Sequence, residues 1–533
     1  MPAKKLKVLV TDAIDREGLK SLAEHPGIDL RYELAPPPAK LEALLKGVGV
    51  WLVRSESKVT AAWIDKAPDL RLVGRAGVGV DNIDLNAATM RGIAVINAPA
   101  ANTVAACEHA FGLMLASARN IAQANADVQA LRWQRSKWMG AELSGKTLGI
   151  IGLGRIGREM ARRAAAFGMK VIGHDPFVSE EQAERMQVKT MPVKELLGHS
   201  DFVTLHVPGG DKTRHLINAE SLGWFKPGAR LINCARGELV DEAALASAVK
   251  SGRLGGAALD VFSQEPLPEG NPLRGIDKII LTPHLGASTA EAQNKVATEL
   301  ARGVIDFHEK GIAANALNLP GFDPETLASL GELLELSEAL GRFTGQMLDS
   351  GLKELVCSFQ GDFPTNQRRP LAVAALKGCL SVISAQSVSY ISAPAVAAER
   401  GIRTSETADP VAREGYQRLL TLTAVTDSGM ASVSGTLLAP GEPRIVRLGP
   451  LAVEVRPKGK MIVLTNQDRP GVIGRVGTLL GKSGVNIADM RVGRKSSHGE
   501  AVMVLTVDED LSAGVRKALE AVPGITAVRW VKL

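Results

Sequence analysis

Cysteine is scarce in this chain of 533 residues: there are four, Cys107, Cys234, Cys357 and Cys379. No two stand in a CxxC or other metal-ligating spacing, so no metal site is expected, and thiols scattered this way are expected to be reduced in a cytoplasmic protein. Long apolar runs are also missing. None approaches the ~20 residues a membrane-crossing helix needs. The apolar run after Lys7 meets Thr11-Asp12 too soon to be the core of a secretion signal. Long runs of like charge are absent too. The net charge of +6 is spread thinly, and the KKLK opening and Arg368-Arg369 are too short to make a nucleic-acid-binding arm. These absences leave a soluble cytoplasmic protein with no membrane and no nucleic acid among its partners.

Glycine, by contrast, is plentiful at 54 residues, and 45% of the chain is hydrophobic, which suits tight turns and α/β packing. At roughly 150 residues per domain, the length predicts three or four domains. Over the first hundred residues, LKVLVTD, GVWLVRS, LRLVGRAGVGVDNID and GIAVINAP are apolar runs closed by turn residues, the rhythm of a parallel sheet with crossover helices. A long amphipathic helical stretch is predicted from about Val104 to Met139. The pattern restarts at 146 with KTLGIIGLGRIG, followed by MKVIGHDP, DFVTLHVP, ARLINCARG, GAALDVF and KIILTPH, which predicts a second α/β sheet. A helix over about 290–310 and a Pro/Gly/Asn-rich break, NALNLPGFDP, mark a boundary. Beyond it come a helix-rich stretch and several strands without a chemical motif. The last 75 residues or so read βαββαβ, a ferredoxin-like unit.

GLGRIG places Gly152, Gly154 and Gly157, with Arg155 and Ile156 between them, where an apolar strand turns into a helix. Such glycines permit a tight turn, close approach of backbone to a pyrophosphate, and helix–strand packing. The helix N-terminus then offers free N–H groups to the anion. Asp175 ends the next strand, where a carboxylate would hold a ribose 2′-hydroxyl and repel a 2′-phosphate. The cofactor predicted is NAD rather than NADP.

Downstream, three residues follow strands of the same sheet: Arg236 in NCARGELVDE, Glu265 in ALDVFSQEP and His284 in TPHLGAS. Oxidising a 2-hydroxy acid requires these side chains. An arginine grips a carboxylate with a two-pronged fork, a histidine takes a hydroxyl proton near neutral pH, and a neighbouring carboxylate favours the charged ring.

These three segments, together with VGRAGVGVDNIDL, AANTVAACEHAFGLMLA and GKTLGIIGLGRIG, resemble the signatures of the D-isomer-specific 2-hydroxy-acid dehydrogenases from residue 1 to about 318. The whole chain resembles the long members of that family, which carry an intervening domain and a C-terminal ACT domain. The resemblance implies an α/β fold of two Rossmann-like, doubly wound parallel-sheet domains, an α+β intervening domain and a ferredoxin-like ACT domain. It divides the chain into a discontinuous substrate-binding domain (1–98 and 287–318), an NAD-binding domain (99–286), an intervening regulatory domain (319–457) and the ACT domain (458–533). It also implies oxidation of 3-phospho-D-glycerate to 3-phosphohydroxypyruvate, the first step of the phosphorylated route to L-serine, by a homodimer or homotetramer.

In that reading Arg236 binds and polarises the substrate, His284 is the acid/base and Glu265 its partner. Cys234 and Asp260 lie at the cofactor, Asp260 by the nicotinamide. Arg54, Arg75 and Asn102 hold the phosphorylated substrate, and Arg135 reaches in from a partner subunit. Related formate dehydrogenases, which move no hydroxyl proton, carry Gln in place of this Glu. TNQDRPGVIGRVGTLLGKSGVNIADM resembles the ACT signature and implies that Asn466, Asp468 and Asn486 bind serine as an effector. Two alternatives share the fold: a glyoxylate or hydroxypyruvate reductase, which would lack the Arg54/Arg75 pair and the long tail, and a dinucleotide-sensing corepressor, to which the ACT tail would be foreign.

Overall fold

The computed structural model of the chain describes residues 5–533 apart from 314–315, 320, 413–414 and 497–498. Two parallel sheets come first. In one, β1 (Leu6–Val10), β2 (Ile28–Tyr32), β3 (Val50–Val53), β4 (Leu72–Arg75) and β5 (Ala94–Asn97) stand in the order β2-β1-β3-β4-β5. In the other, β6 (Thr147–Ile151), β7 (Lys170–His174), β8 (Lys189–Thr190), β9 (Phe202–Leu205), β10 (Arg230–Asn233), β11 (Gly256–Leu259) and β12 (Ile279–Leu281) stand in the order β12-β11-β10-β9-β6-β7-β8. Strands β3 and β9 are buried throughout, as sheets covered by helices on both faces require. The apolar runs mark every strand but two. β2 is an edge strand whose residues alternate between buried and open, and β8 is a two-residue edge, so neither carries a continuous hydrophobic signal.

The predicted helical stretch from Val104 to Met139 is broken. Helix α1 (Thr103–Arg119) ends where Asn120 takes a left-handed conformation, φ 54°, a state that asparagine tolerates better than most residues. A second helix, Ile121–Gln129, and a short turn of 3-10 helix, Arg135–Trp138, follow. Helix α2 (Arg155–Ala166) leaves the glycine-rich turn. Helix α3 (Ala290–Lys310) follows β12 and buries Val296, Ala297, Leu300, Ala301, Val304 and Phe307 in the core of the first sheet, against Val8, Leu52, Leu72 and Ile96. The second sheet has two cores, one per face. Val203, Leu231 and Leu259 belong to one; Ile150, Ile232 and Ala258 belong to the other with Met114 and Met160.

The third sheet is mixed. β13 (Leu352–Gly361), β14 (Arg403–Asp409), β15 (Arg418–Thr426), β16 (Gly429–Leu437), β17 (Pro443–Leu448) and β18 (Leu451–Val455) run in the order β14-β13-β15-β16-β17-β18, with only the β13–β14 pair parallel. Helices α4 (Glu332–Gln346) and α5 (Thr365–Ile383) pack tightly, because a Cβ on Gly341 would collide with the Ala375 carbonyl. The last unit is β19 (Lys460–Gln467), α6 (Val472–Lys482), β20 (Ile487–Arg494), β21 (Glu500–Val507), α7 (Ala513–Glu520) and β22 (Ile525–Lys532), an antiparallel sheet ordered β20-β21-β19-β22. This is the βαββαβ order read from the sequence.

Alternation along β19 decides what each face of that sheet touches. Ile462 and Leu464 join Val476 and Leu480 of α6, whereas Met461 and Val463 join the large core that also holds Leu451, Val453 and Val455 of β18. That core is continuous. It runs from the first sheet through Phe322 and the third sheet to one face of the fourth. Among the described residues, no helix is long and apolar enough to cross a membrane, and all four cysteines are free.

Candidate active site

Apart from Arg135, the residues singled out in the first 290 positions lie beyond the carboxyl ends of the two parallel sheets, where open α/β sheets bind ligands. Gly152 follows β6 with φ 98°, and a Cβ there would strike the His206 carbonyl beyond β9. Gly154 caps α2, and a Cβ on it would meet nothing within 4 Å. On Gly157 a Cβ would collide with the Gly152 carbonyl. One glycine makes the turn, one leaves open space before the helix N-terminus, and one lets helix and turn touch. That is the cradle a pyrophosphate needs. Arg155 is exposed and Ile156 half-buried in the first turn of α2. Asp175, past β7, accepts hydrogen bonds from the Leu153 and Phe177 amides, both at 2.9 Å, so its carboxylate is fixed beside the turn. The residues present fit NAD.

Arg236 follows β10. The fully buried Asn233 shapes its turn, donating from Nδ2 to the Arg236 carbonyl at 2.8 Å and accepting from the Ala235 amide at 3.0 Å. Gly237 comes next because its Cα lies against the Phe262 backbone, leaving no room for a Cβ. That contact brings the Arg236 turn onto the segment carrying Glu265. The Glu265 carboxylate accepts from the Phe262 amide at 3.0 Å through Oε1 and contacts His284 Nδ1 at 2.7 Å through Oε2. Burial would raise the Glu265 carboxyl, but the bonds from His284 and Phe262 outweigh it and hold it below the usual carboxylate range. His284 leaves its other ring nitrogen for the cleft, and its ring is half exposed.

His284 itself has φ 58°, the left-handed region that costs a non-glycine residue about 1 kcal/mol or more. Asp260, fully buried after β11, holds the turn there. Its carbonyl accepts from the His284 amide at 2.9 Å. Its carboxylate accepts from the Leu285 and Gly286 amides, each at 2.8 Å, and from the Thr282 hydroxyl at 2.5 Å. His109 of α1 adds a contact at 3.1 Å. Burial pushes Asp260 up, but these bonds, His109 and Thr282 foremost, bring it net below its ordinary value. Cys234 is half-buried near Asp260 and His109; burial, then Asp260, raises its thiol, so it stays neutral.

On the facing sheet, Arg75 ends β4 and Arg54 follows β3. Asp12 accepts at 2.6 Å from the Arg54 amide and also from the amides of Glu56 and Ser57, which fixes that loop. Burial first, then the charge of Arg236, lowers Arg75 to about 10. Its Nε is buried without a partner, as is Oδ1 of Asn102 at the start of α1. Unpaired buried polar atoms are costly, and these two belong to residues at the end of β4 and beyond the end of its neighbour β5. Arg135 is not brought to this cleft within the chain. It is exposed and makes no ion pair among the described residues, on an arm that also exposes Leu131, Trp133 and Met139. Sequence reading missed Asn233, His109, Thr282 and Asp12. Each is a polar residue beside an apolar strand or within a helix, the one signal that could have drawn attention to it.

The three residues read as an effector site are not adjacent within one chain. Strands β19 and β20 both run antiparallel to β21, so they share a direction. The end of β19 and the start of β20 therefore lie at opposite ends of the sheet. Asn466 is buried, with its Oδ1 unpartnered. Asp468 binds Arg494 at 2.8 Å. At the other end, exposed Asn486 donates to Asp508 at 2.7 Å.

A glycine cradle under one sheet and an Arg–Glu–His cleft between two sheets define a nicotinamide-dependent dehydrogenase of hydroxy acids. Residues 111–286 match the D-isomer specific 2-hydroxyacid dehydrogenase NAD-binding domain, 329–449 the D-3-phosphoglycerate dehydrogenase intervening domain and 460–524 the ACT domain. The D-3-phosphoglycerate dehydrogenases of Synechocystis and Methanocaldococcus jannaschii are 43% and 41% identical to 99% of this chain, over 95% and 100% of their own lengths. Among solved structures, the D-lactate dehydrogenase of Aquifex aeolicus complexed with NAD and lactic acid aligns with 57% of this chain and 96% of its own. Its identity is 31% and its TM-score 0.51. The NAD-dependent formate dehydrogenase of Staphylococcus aureus aligns over 58% and 98%, at 29% identity and a TM-score of 0.53. The chain belongs to the D-3-phosphoglycerate dehydrogenase family of D-isomer-specific 2-hydroxyacid dehydrogenases.

Proposed function

We propose that this chain oxidises 3-phospho-D-glycerate to 3-phosphohydroxypyruvate with NAD, the entry into L-serine synthesis. The observation that carries the proposal is the His284–Glu265 contact at 2.7 Å, on a segment whose Phe262 backbone packs against Gly237, next to Arg236. Arg236 binds the substrate carboxylate and polarises the reacting oxygen. The free ring nitrogen of His284 takes the hydroxyl proton, and the Glu265 carboxylate lowers the cost of the imidazolium that results. Bound NAD supplies the acceptor for the hydride released from the carbinol carbon. Arg54 and Arg75, with Asn102, hold the substrate's phosphorylated end.

The same reading places Gly152, Gly154, Gly157 and Asp175 at the cofactor, and divides the chain into the four domains expected from the sequence. The exposed Leu131, Trp133 and Met139 support a homodimer or homotetramer in which a partner covers that arm and receives Arg135. Serine acts at a seam between two ACT units. Antiparallel pairing of two β20 edges would set Asn486 of one copy beside Asn466 and Asp468 of the other.

The test follows NADH formation from 3-phosphoglycerate, D-glycerate and 2-hydroxyglutarate, with and without serine. A clear preference for the phosphorylated acid, lowered by serine, is expected. No preference overturns the substrate, and full activity in His284→Ala overturns the mechanism.

A further inference from the structure

Arg236 is already engaged by a carboxylate. Asp81 lies in the loop after β4, on the opposite side of the cleft, and its Oδ2 stands 3.3 Å from Arg236 Nε. Three features make this more than a surface contact. Gly79, two residues before Asp81, has its Cα so close that a Cβ would strike both Arg236 Nη2 and Asp81 Oδ2; the loop wraps the guanidinium. Arg236 spends Nη1 on the neighbouring Ala235 carbonyl at 2.7 Å, while Nη2 makes no hydrogen bond to a protein acceptor among the described residues. The pair also joins the two sheets, and Asp81 favours the charge of Arg75, which Arg236 and Arg54 oppose.

We propose that Asp81 is a latch: its carboxylate occupies Arg236 in the open cleft and is displaced by the carboxylate of the incoming substrate. The proposal rests on the reading of Arg236 as the carboxylate-binding residue. Asp81 is 79% exposed and Arg236 only 30%. An ion pair with one partner so open to water is weak, so a ligand that uses the guanidinium fork bidentately wins. Until then Asp81 offsets the mutual repulsion of three arginines and keeps the fork from stray anions. Asp81 is a positioning residue that sets the apparent affinity for carboxylates, because binding is weakened by the fraction of Arg236 that is latched.

The experiment compares the wild-type protein with Asp81→Asn and Asp81→Glu. Each is titrated calorimetrically as its NADH complex, which cannot oxidise them, with 3-phosphoglycerate, D-glycerate (carboxylate without phosphate) and glycerol 3-phosphate (phosphate without carboxylate). Steady-state KM and kcat are measured beside it with NAD. Asp81→Asn is expected to bind both carboxylates about two- to fivefold more tightly, with glycerol 3-phosphate unchanged and KM for 3-phosphoglycerate falling more than kcat moves. Asp81→Glu, which keeps the carboxylate, should stay near wild type. Equal tightening of all three ligands would reduce Asp81 to a general field effect and overturn the latch, as would weaker carboxylate binding in Asp81→Asn. A wild-type protein that binds carboxylates but does not turn over 3-phosphoglycerate overturns the proposed activity and leaves the latch standing. One that binds no carboxylate overturns both.

Discussion

His284 owes its place to its hydrogen-bonded neighbours in the fold. Asp260 spends its carbonyl and both carboxylate oxygens on the 282–286 turn, which offsets the cost of a left-handed histidine. Glu265 then fixes one ring nitrogen. Glu265→Gln keeps a hydrogen-bonding side chain but removes the charge, so kcat should fall roughly 10- to 100-fold while KM for 3-phosphoglycerate stays within about twofold. Steady-state kinetics check this, and equal losses in kcat and 1/KM would place Glu265 in substrate binding instead. His206, beside the glycine turn, offers a pH test of stability. Burial lowers its ring to about 4, with Nε2 2.9 Å from the Thr204 hydroxyl. A histidine depressed in the folded state is neutral there while the unfolded chain still binds a proton. Its contribution is therefore complete above pH 6.5 and is lost as pH falls through 6.5 to 4. Part of the ring remains open, so the loss is about 1–3 kcal/mol. Melting temperatures over pH 7 to 4 should slope less in His206→Asn than in the wild type.

At the scale of elements, the turn between β6 and α2 is the cradle proposed for the cofactor. Gly157→Ala pushes a methyl group into the Gly152 carbonyl, and overpacking of this kind costs about 1–3 kcal/mol. NADH affinity, read by fluorescence titration, should fall roughly 10- to 100-fold, with the melting temperature lowered by roughly 2–4 °C for each kcal/mol of that cost. This turn was legible in the sequence because backbone demands dictate its glycines, and Arg236, Glu265 and His284 were legible because each sits just past an apolar strand. What escaped sequence reading is relational. β2 and β8 hide as edges because half their residues face water. Nothing local in Asn120 announces that it ends α1 rather than continuing it. Asp81 reads as one more turn carboxylate until the fold sets it against Arg236, and Asn466 and Asn486 look like one site until strand direction puts them at opposite ends of a sheet.

Over the whole molecule, the cores divide unevenly. The NAD-binding sheet keeps two cores of its own, while one face of the first sheet, the third sheet and one face of the ACT sheet share one. Phe322 is fully buried in that shared core, 5.6 Å from the Tyr390 ring. Phe322→Ala should cost about 3–5 kcal/mol and lower the melting transition of that shared unit. NADH binding to the surviving sheet should persist, so calorimetry would resolve two transitions where the wild type has closer ones. A variant that loses both together would show that the cores melt as one.

Helix α3 carries a consequence for the order of synthesis. The first sheet cannot complete its core until Val296 to Phe307 have left the ribosome, whereas the second sheet and its helices are finished once β12 emerges. Domains fold as units while the chain grows, so the second unit in the sequence is expected to be the first to fold. A fragment ending at residue 286 should resist protease over 103–281 and be cut within 5–97, and extending it to residue 312 should close those sites. The amino-terminal strands wait for a helix made some two hundred residues later, which leaves the start of this chain the part most in need of a chaperone while it is being made.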